Sequence, residues 1–306
     1  MTSLPASNIH WQERLSIAKI DKWRTLALRS AAVLITITTS LLMGCQSFPT
    51  AGSPLIEGTV WQVDNKTIDA RGNWHEIGAK NLLIQWISVD GISFMHDEKK
   101  QSTSHLPDWK RIGAEPWAQN VILGLAGRFD ESSARANVAS LVAESVRLAK
   151  LPTPLHVVGW YFPVEVDSSW GDARKLSSLL EQLPRPLWIS IYDSRNIGAA
   201  PFAQWLNTWL PTDVGVFFQD GVGVHARTAP VARQYAEAIS RQLGTSRVKV
   251  IAEAFRPKPE GGFRSATFDE LSAQLSIYRG LPVYLFDGPH YVSNELVEEL
   301  KKQFNK

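Results

Sequence analysis

The chain has 306 residues, 44% hydrophobic, 10% aromatic and 20% charged, a balance that supports a sizeable buried core and excludes a disordered chain. Its formal net charge is +2, and the first forty-four residues carry five Lys/Arg against two Asp/Glu, so the remainder is close to neutral and gives no footing for nucleic acid or another polyanion. A single cysteine rules out an internal disulfide framework and a multi-thiolate metal site.

In chain order, the first element is a basic stretch (Arg14, Lys19, Lys22, Arg24, Arg29) running into an apolar segment over 31–43, the layout of a secretory signal. The segment is shorter than the roughly 20 residues that span a bilayer. It ends in Leu42-Met43-Gly44-Cys45, which resembles a lipobox. The resemblance implies cleavage behind Gly44, lipidation of Cys45 and a signal peptide over 1–44. Each buried acyl CH2 contributes about 0.8 kcal/mol, so several chains on Cys45 would hold the protein on a membrane. Gln46, where an Asp would favour inner-membrane retention, points to the outer membrane and its periplasmic face. Residues 45–54 read as a tether and 55–306 as the folded domain.

From Glu57 onward, short apolar β-branched runs alternate with amphipathic segments. That alternation predicts repeated strand, crossover helix, parallel strand. Eight strands are predicted, over 58–63, 81–89, 120–126, 155–162, 186–192, 214–219, 248–255 and 282–287. Helical spacing is clearest over 131–150, where Val138, Leu141, Val142, Val146 and Leu148 share a face, and recurs over 172–183, 230–243, 267–278 and 293–304. The polar run from Met95 to Lys100 reads as an exposed loop. Eight units in about 250 residues predict the α/β class and a single (β/α)8 TIM barrel. An open doubly wound sheet would usually show a glycine-rich phosphate loop after an early strand, whereas Gly221-Val-Gly223 follows the sixth run and reads as a turn.

The two ends of the predicted strands differ. Prolines 152, 154, 184, 186, 211 and 282 mark the starts, while the C-terminal or exit ends carry Asp64, Asp90, Glu165, Asp193, Asp220, Glu253 and Asp287. Barrel enzymes place their chemistry at the exit end. Some of these acids are expected to serve instead as helix caps or as partners of Arg128, Arg195, Arg227 and Arg256. Rings of Trp61, Trp86, Trp160, Tyr161, Trp170 and Tyr192 lie at or near the exits, and Gln62, Gln85 and Gln219 offer amide hydrogen bonds. Flat rings and amides together suit a neutral polar ligand such as a sugar. A Trp on a barrel strand also serves as core, so the rings are shared between packing and binding.

Glu165 after the fourth run and Glu253 at the end of the seventh resemble the acid/base and nucleophile of the retaining-glycosidase clan built on this barrel. Val164 departs from that clan, where the residue before the acid/base is commonly Asn. Gly58-Thr-Val-Trp-Gln62, Leu83-Ile-Gln-Trp86, Gly159-Trp-Tyr-Phe-Pro-Val-Glu165, Gln219-Asp-Gly-Val-Gly223 and Glu253-Ala-Phe255 resemble, over most of 56–290, an uncharacterised family of bacterial barrels described as glycoside hydrolases. The clan resemblance implies Glu165 as general acid/base and Glu253 as nucleophile, since glycosidic cleavage needs one protonated and one ionised carboxyl, while the resemblance to the uncharacterised family implies chiefly the fold. Asp193 and Asp220 are expected to tune that pair or hold substrate, with Asp287, Trp61, Gln62, Gln85, Trp86, Trp160, Tyr161, Tyr192 and Gln219 as further substrate contacts.

His225 and His290 follow the sixth and eighth exits, but no HxH or HExxH spacing accompanies them, and neither a metal nor a cofactor is expected. No GxSxG motif offers a serine nucleophile. The expected partners are a polysaccharide or oligosaccharide substrate and, through Cys45, a membrane. Two other readings remain open at this point: a non-catalytic glycan-binding outer-membrane lipoprotein, and a metal-assisted deacetylase or lyase that would need His225 and His290 to converge.

Overall fold

Eight parallel strands follow one another around a closed sheet: β1 (Leu55–Trp61), β2 (Asn81–Ile84), β3 (Asn120–Gly124), β4 (Val157–Asp167), β5 (Leu187–Tyr192), β6 (Val214–Gln219), β7 (Val248–Glu253) and β8 (Pro282–Phe286), with β8 pairing back onto β1. This computed structural model describes residues 54–304 apart from 100 and 104. The expected signal, the expected lipidation at Cys45 and nearly all of the tether lie outside the described residues. The helices are α1 (Trp109–Gly113), α2 (Glu131–Ala136), α3 (Val138–Leu148), α4 (Leu176–Leu180), α5 (Ala199–Asn207), α6 (Ala229–Leu243), α7 (Phe268–Ile277), α8 (Gly288–Tyr291) and α9 (Asn294–Phe304). The protein is a single (β/α)8 TIM barrel. No helix of the described residues is long and apolar enough to cross a membrane.

Strand alternation divides the apolar residues into two cores. Outward residues such as Leu82, Leu123, Ile189, Val216 and Val250 meet the helices, while Val60, Leu83, Ile122, Tyr161, Phe217, Ile251 and Tyr284 fill the barrel itself. Below this inner layer, at the strand starts, Lys249 pairs with Glu57 and lies over the rings of Trp188 and Tyr284. Asn81 and Asn120 complete that floor, Asn120 Nδ2 donating to Asn81 Oδ1 at 3.0 Å.

Three departures from the sequence expectation have local causes. First, the expected helix over 131–150 breaks at Asn137, whose side-chain amide donates to the Ser133 carbonyl (2.8 Å) and caps the first helix instead of continuing it. Second, α5 has no counterpart among the expected helices: it opens on Gly198 at φ 103° and carries Pro201 in its first turn, residues that read as a turn in sequence. Third, the Met95–Lys100 run is not simply an exposed loop. Phe94, Met95 and Asp97 are buried, and Arg147 of α3 grips Asp97 through two hydrogen bonds of 2.9 and 2.7 Å. The segment lies between two strands of a small accessory sheet formed by Ser88–Val89, Ile92–Ser93, Gln101–Ser102 and Ala126–Gly127 beyond the exits of β2 and β3.

The Asp97–Arg147 fork gives an ordered prediction. The Asp97 side chain is 2% exposed and that of Arg147 is 29% exposed, so removing the guanidinium leaves a buried carboxylate without its counter-charge, whereas removing the carboxylate leaves an arginine that can reach water. Arg147→Ala should cost about 3 kcal/mol and Asp97→Ala about 2 kcal/mol, measured by denaturant unfolding.

Candidate active site

At the exit end, each strand contributes one inward position, and together these form a ring: Gln62, Gln85, Gly124, Glu165, Tyr192, Gln219, Glu253 and Phe286. Their direction follows from alternation with the inner-core residues two positions earlier on most strands. Gly124 is required, because a Cβ there would stand 2.2 Å from the Gln85 carbonyl oxygen.

Glu165 reaches the ring through an irregularity. Phe162 pairs with Ile189 and Val166 with Ile191, so four steps along β4 match two along β5. Pro163, which has no N–H to give a ladder, lies in the bulged stretch. Glu165 therefore sits within the strand, not after it as the sequence suggests. Its backbone carbonyl accepts from Arg135 Nη2 (3.0 Å) and Nε (3.3 Å), and its Oε1 accepts from Gln219 Nε2 at 3.1 Å. Arg135, on α2, also pairs with Glu131 one turn earlier and lies over the Trp170 ring at 5.3 Å. The Tyr192 hydroxyl donates to Glu131. Burial first, then the charges of Glu165, Glu131 and Asp167, push the Tyr192 phenol well above its ordinary range and keep it a donor.

Glu253 is 7% exposed, and its carboxylate accepts from the Val224 backbone N–H at 3.1 Å. Gly223 makes that approach feasible: a Cβ there would lie 2.6 Å from Glu253 Cβ and 2.8 Å from the Phe255 carbonyl oxygen. The expected turn at Gly221–Gly223 is thus the clasp of Glu253. Behind it lies Asp220, fully buried, with Oδ1 accepting from Val222 N (3.1 Å) and Glu253 N (3.3 Å), and Oδ2 from Gln274 Nε2 (2.5 Å) and Tyr278 Oη (2.8 Å). Burial raises the Asp220 carboxyl above its ordinary range, against the opposing pull of these four donors.

Asp193 and Asp287 have similar placements. Asp193 accepts from Ser168, Arg195 N, Ile197 N and Tyr235, and Asp287 from Gln62 N and His290. Both are within 1% of complete burial. The structure places Asp193, Asp220 and Asp287 behind the ring, where they organise the exit loops, and Asp287 is also the N-cap of α8. Trp61, Trp86 and Tyr161 are at most 3% exposed, with Trp61 against Trp109, Trp86 against Phe129 and Tyr161 in the inner core. Trp160 packs on the outer core. Of the sequence candidates, Gln62, Gln85, Glu165, Tyr192, Gln219 and Glu253 are the ones brought together. Arg135, Glu131, Gln274, Tyr278 and Phe286 were not among them. Only the i,i+4 spacing of Glu131 and Arg135 carried a local signal, and it said nothing about where the pair docks.

His290 is held by two carboxylates and does not meet His225: its Nε2 lies 3.2 Å from Asp64 Oδ2 and its Nδ1 2.9 Å from Asp287 Oδ1. Among the described residues, no group of three or more His, Cys, Asp or Glu is arranged to hold a metal ion. His225 is exposed on the β6 exit turn at φ 58°. Comparison with known proteins yields no match to a family model, a curated sequence or a solved structure.

Two predictions follow from these clasps. Burial disfavours the His290 charge, but hydrogen bonds and attraction from Asp287 and Asp64 outweigh it and raise the imidazole to about 10. A raised cationic pKa stabilises the fold fully below the ordinary value of 6.5 and loses that contribution as pH climbs to about 10. Wild-type unfolding free energy should therefore fall more steeply between pH 6.5 and 10 than that of His290→Gln; parallel curves would contradict the clamp. Gly223→Ala should cost about 1–3 kcal/mol through overpacking. A crystal structure of that variant should show the Val224–Glu253 hydrogen bond broken.

Proposed function

We propose that the chain is a glycoside hydrolase acting on a bacterial exopolysaccharide or cell-envelope glycan by a two-carboxylate mechanism. One observation carries the reading: Glu165 of β4 and Glu253 of β7 both face the barrel axis in the exit ring, with Gln219 of β6 reaching from between them to the Glu165 carboxylate. Glycosidic cleavage needs two carboxyls that reach one bond from different sides and have different surroundings. Here one is buried and clasped by a backbone N–H, while the other is more open and bordered by a neutral amide and a phenol.

Glu253 is the nucleophile. Its donor at Val224 and its buried setting hold Oε2 of the carboxylate fixed. Glu165 is the general acid/base, donating a proton to the departing oxygen and later taking one from water. A separation of about 5 to 5.5 Å between such carboxyls corresponds to retention of anomeric configuration. Gln62, Gln85 and Gln219 hold sugar hydroxyls, and Tyr192 supplies an edge or face for the ring. The lipid anchor proposed at Cys45 would keep this mouth at the periplasmic face of the outer membrane, within reach of envelope polymers.

The test is incubation of the chain with a panel of bacterial glycans in 18O-water, read by mass spectrometry for both cleavage and retained ligand. Glu165→Gln and Glu253→Gln should each lower cleavage by about 100-fold or more without loss of fold by circular dichroism. Cleavage that survives both changes would refute the assignment. Retention of glycan with no cleavage by the wild type would mark a glycan-binding lipoprotein instead.

A further inference from the structure

The chemistry of the exit ring narrows the ligand further. Resting on the two-carboxylate reading for its location, we infer that this site takes a non-acidic glycan, one whose sugar at Glu165 and Glu253 offers hydroxyl or amide donors and bears no carboxylate, sulfate or phosphate.

Three observations support the inference. The eight inward positions consist of three amides, two carboxylates, one phenol, one phenyl ring and one glycine, so the only formal charges in the ring are negative. Second, Gln85 Oε1 is shut off from solvent and accepts no hydrogen bond from the protein. A buried acceptor left unpaired costs about 1–3 kcal/mol, and a turn of the Gln85 side chain toward the mouth would let a ligand hydroxyl or N–H satisfy it where an anionic oxygen could not. This atom stands on the same inward layer as Glu165 and Glu253, which are themselves acceptors when ionised.

Third, five of the cations around the ring are held by protein partners. Arg135 holds the Glu165 carbonyl and pairs with Glu131. Arg227 donates to the Asp193 carbonyl at 2.5 Å and lies over the rings of Phe218 and Tyr235. Arg256 is buried, donating to the carbonyls of Glu253 and Phe255 and to Gln274. His290 is held between Asp64 and Asp287, and Arg128 faces Asp90 at 3.5 Å. An anionic sugar would have to displace one of these pairings while approaching two carboxylates, and a few ångströms of partly buried space offer little screening. A neutral or amino sugar meets donors and acceptors already in place.

The experiment compares matched probes with the full-length chain in detergent: tetrasaccharides of β-1,4-glucan, β-1,3-glucan, α-1,4-glucan and β-1,4-linked N-acetylglucosamine, each against its C6-oxidised counterpart, by ligand-observed NMR. At least one neutral member should bind ten-fold or more tightly than its oxidised partner. The Gln85→Leu variant should weaken that binding by five-fold or more with an unchanged or higher Tm, because it removes an acceptor that the fold leaves unsatisfied. Equal or tighter binding of the oxidised partner, no binding by any neutral member, or unchanged affinity in Gln85→Leu would overturn the inference. The hydrolase reading fails separately: a neutral glycan that binds with this selectivity but is not cut would refute catalysis and leave the ligand class standing.

Discussion

In a closed parallel sheet every second residue of every strand must point at the barrel axis, and the eight strands must agree in register for those residues to meet. Here the agreement produces a charged floor, a middle layer of apolar and aromatic side chains, and above it a ring that is polar except at Gly124 and Phe286. The middle layer leaves no passage along the axis. A ligand at the exit therefore meets a blind mouth with Tyr161, Phe217 and Tyr284 in the packed layer below.

That ring is held from outside. Each carboxylate behind it accepts hydrogen bonds from loop N–H groups and from hydroxyls or amides of the surrounding helices: Asp193 from Tyr235 of α6, Asp220 from Gln274 and Tyr278 at the end of α7, and Asp287 from His290 of α8. Buried carboxylates carry a heavy desolvation cost unless their lone pairs are satisfied. Satisfying them with donors from both a strand exit and a surrounding helix makes the loops rigid. The same logic explains Arg135, which supplies two donors to a carbonyl in the bulged part of β4 and so fixes the residue that carries one of the two inward carboxylates. Positioning residues of this kind lie a layer behind the ones they orient.

Much of the barrel was legible in the sequence, because strand and helix periods differ and each apolar run between turn residues had one sensible period. All eight strands lie where the alternation suggests, with ends displaced by a few residues. What the pattern missed has an identifiable cause each time. Helix α5 opens on Gly198 and Pro201, which read as turn residues, Asn137 breaks a helix whose apolar spacing continues across it, and Asp97 is polar in sequence yet buried by an arginine fifty residues away. The β4 bulge could not be read at all, since it is a mismatch of register with a neighbouring strand and register is not a property of either strand alone.

For the site, the sequence by itself determined the candidates: carboxylates and amides at strand exits, and two glutamates at the ends of the fourth and seventh runs. Tertiary structure alone decided which of them share a surface. Trp61 and Trp86 resemble ligand-stacking rings in sequence but pack beneath the exit loops, and Asp193, Asp220 and Asp287 resemble active-site acids but are consumed by loop donors. The physical reason is that residue type and spacing specify what a side chain can do, whereas inward or outward direction, and the partner it finds there, depend on how eight separate strands close into one sheet.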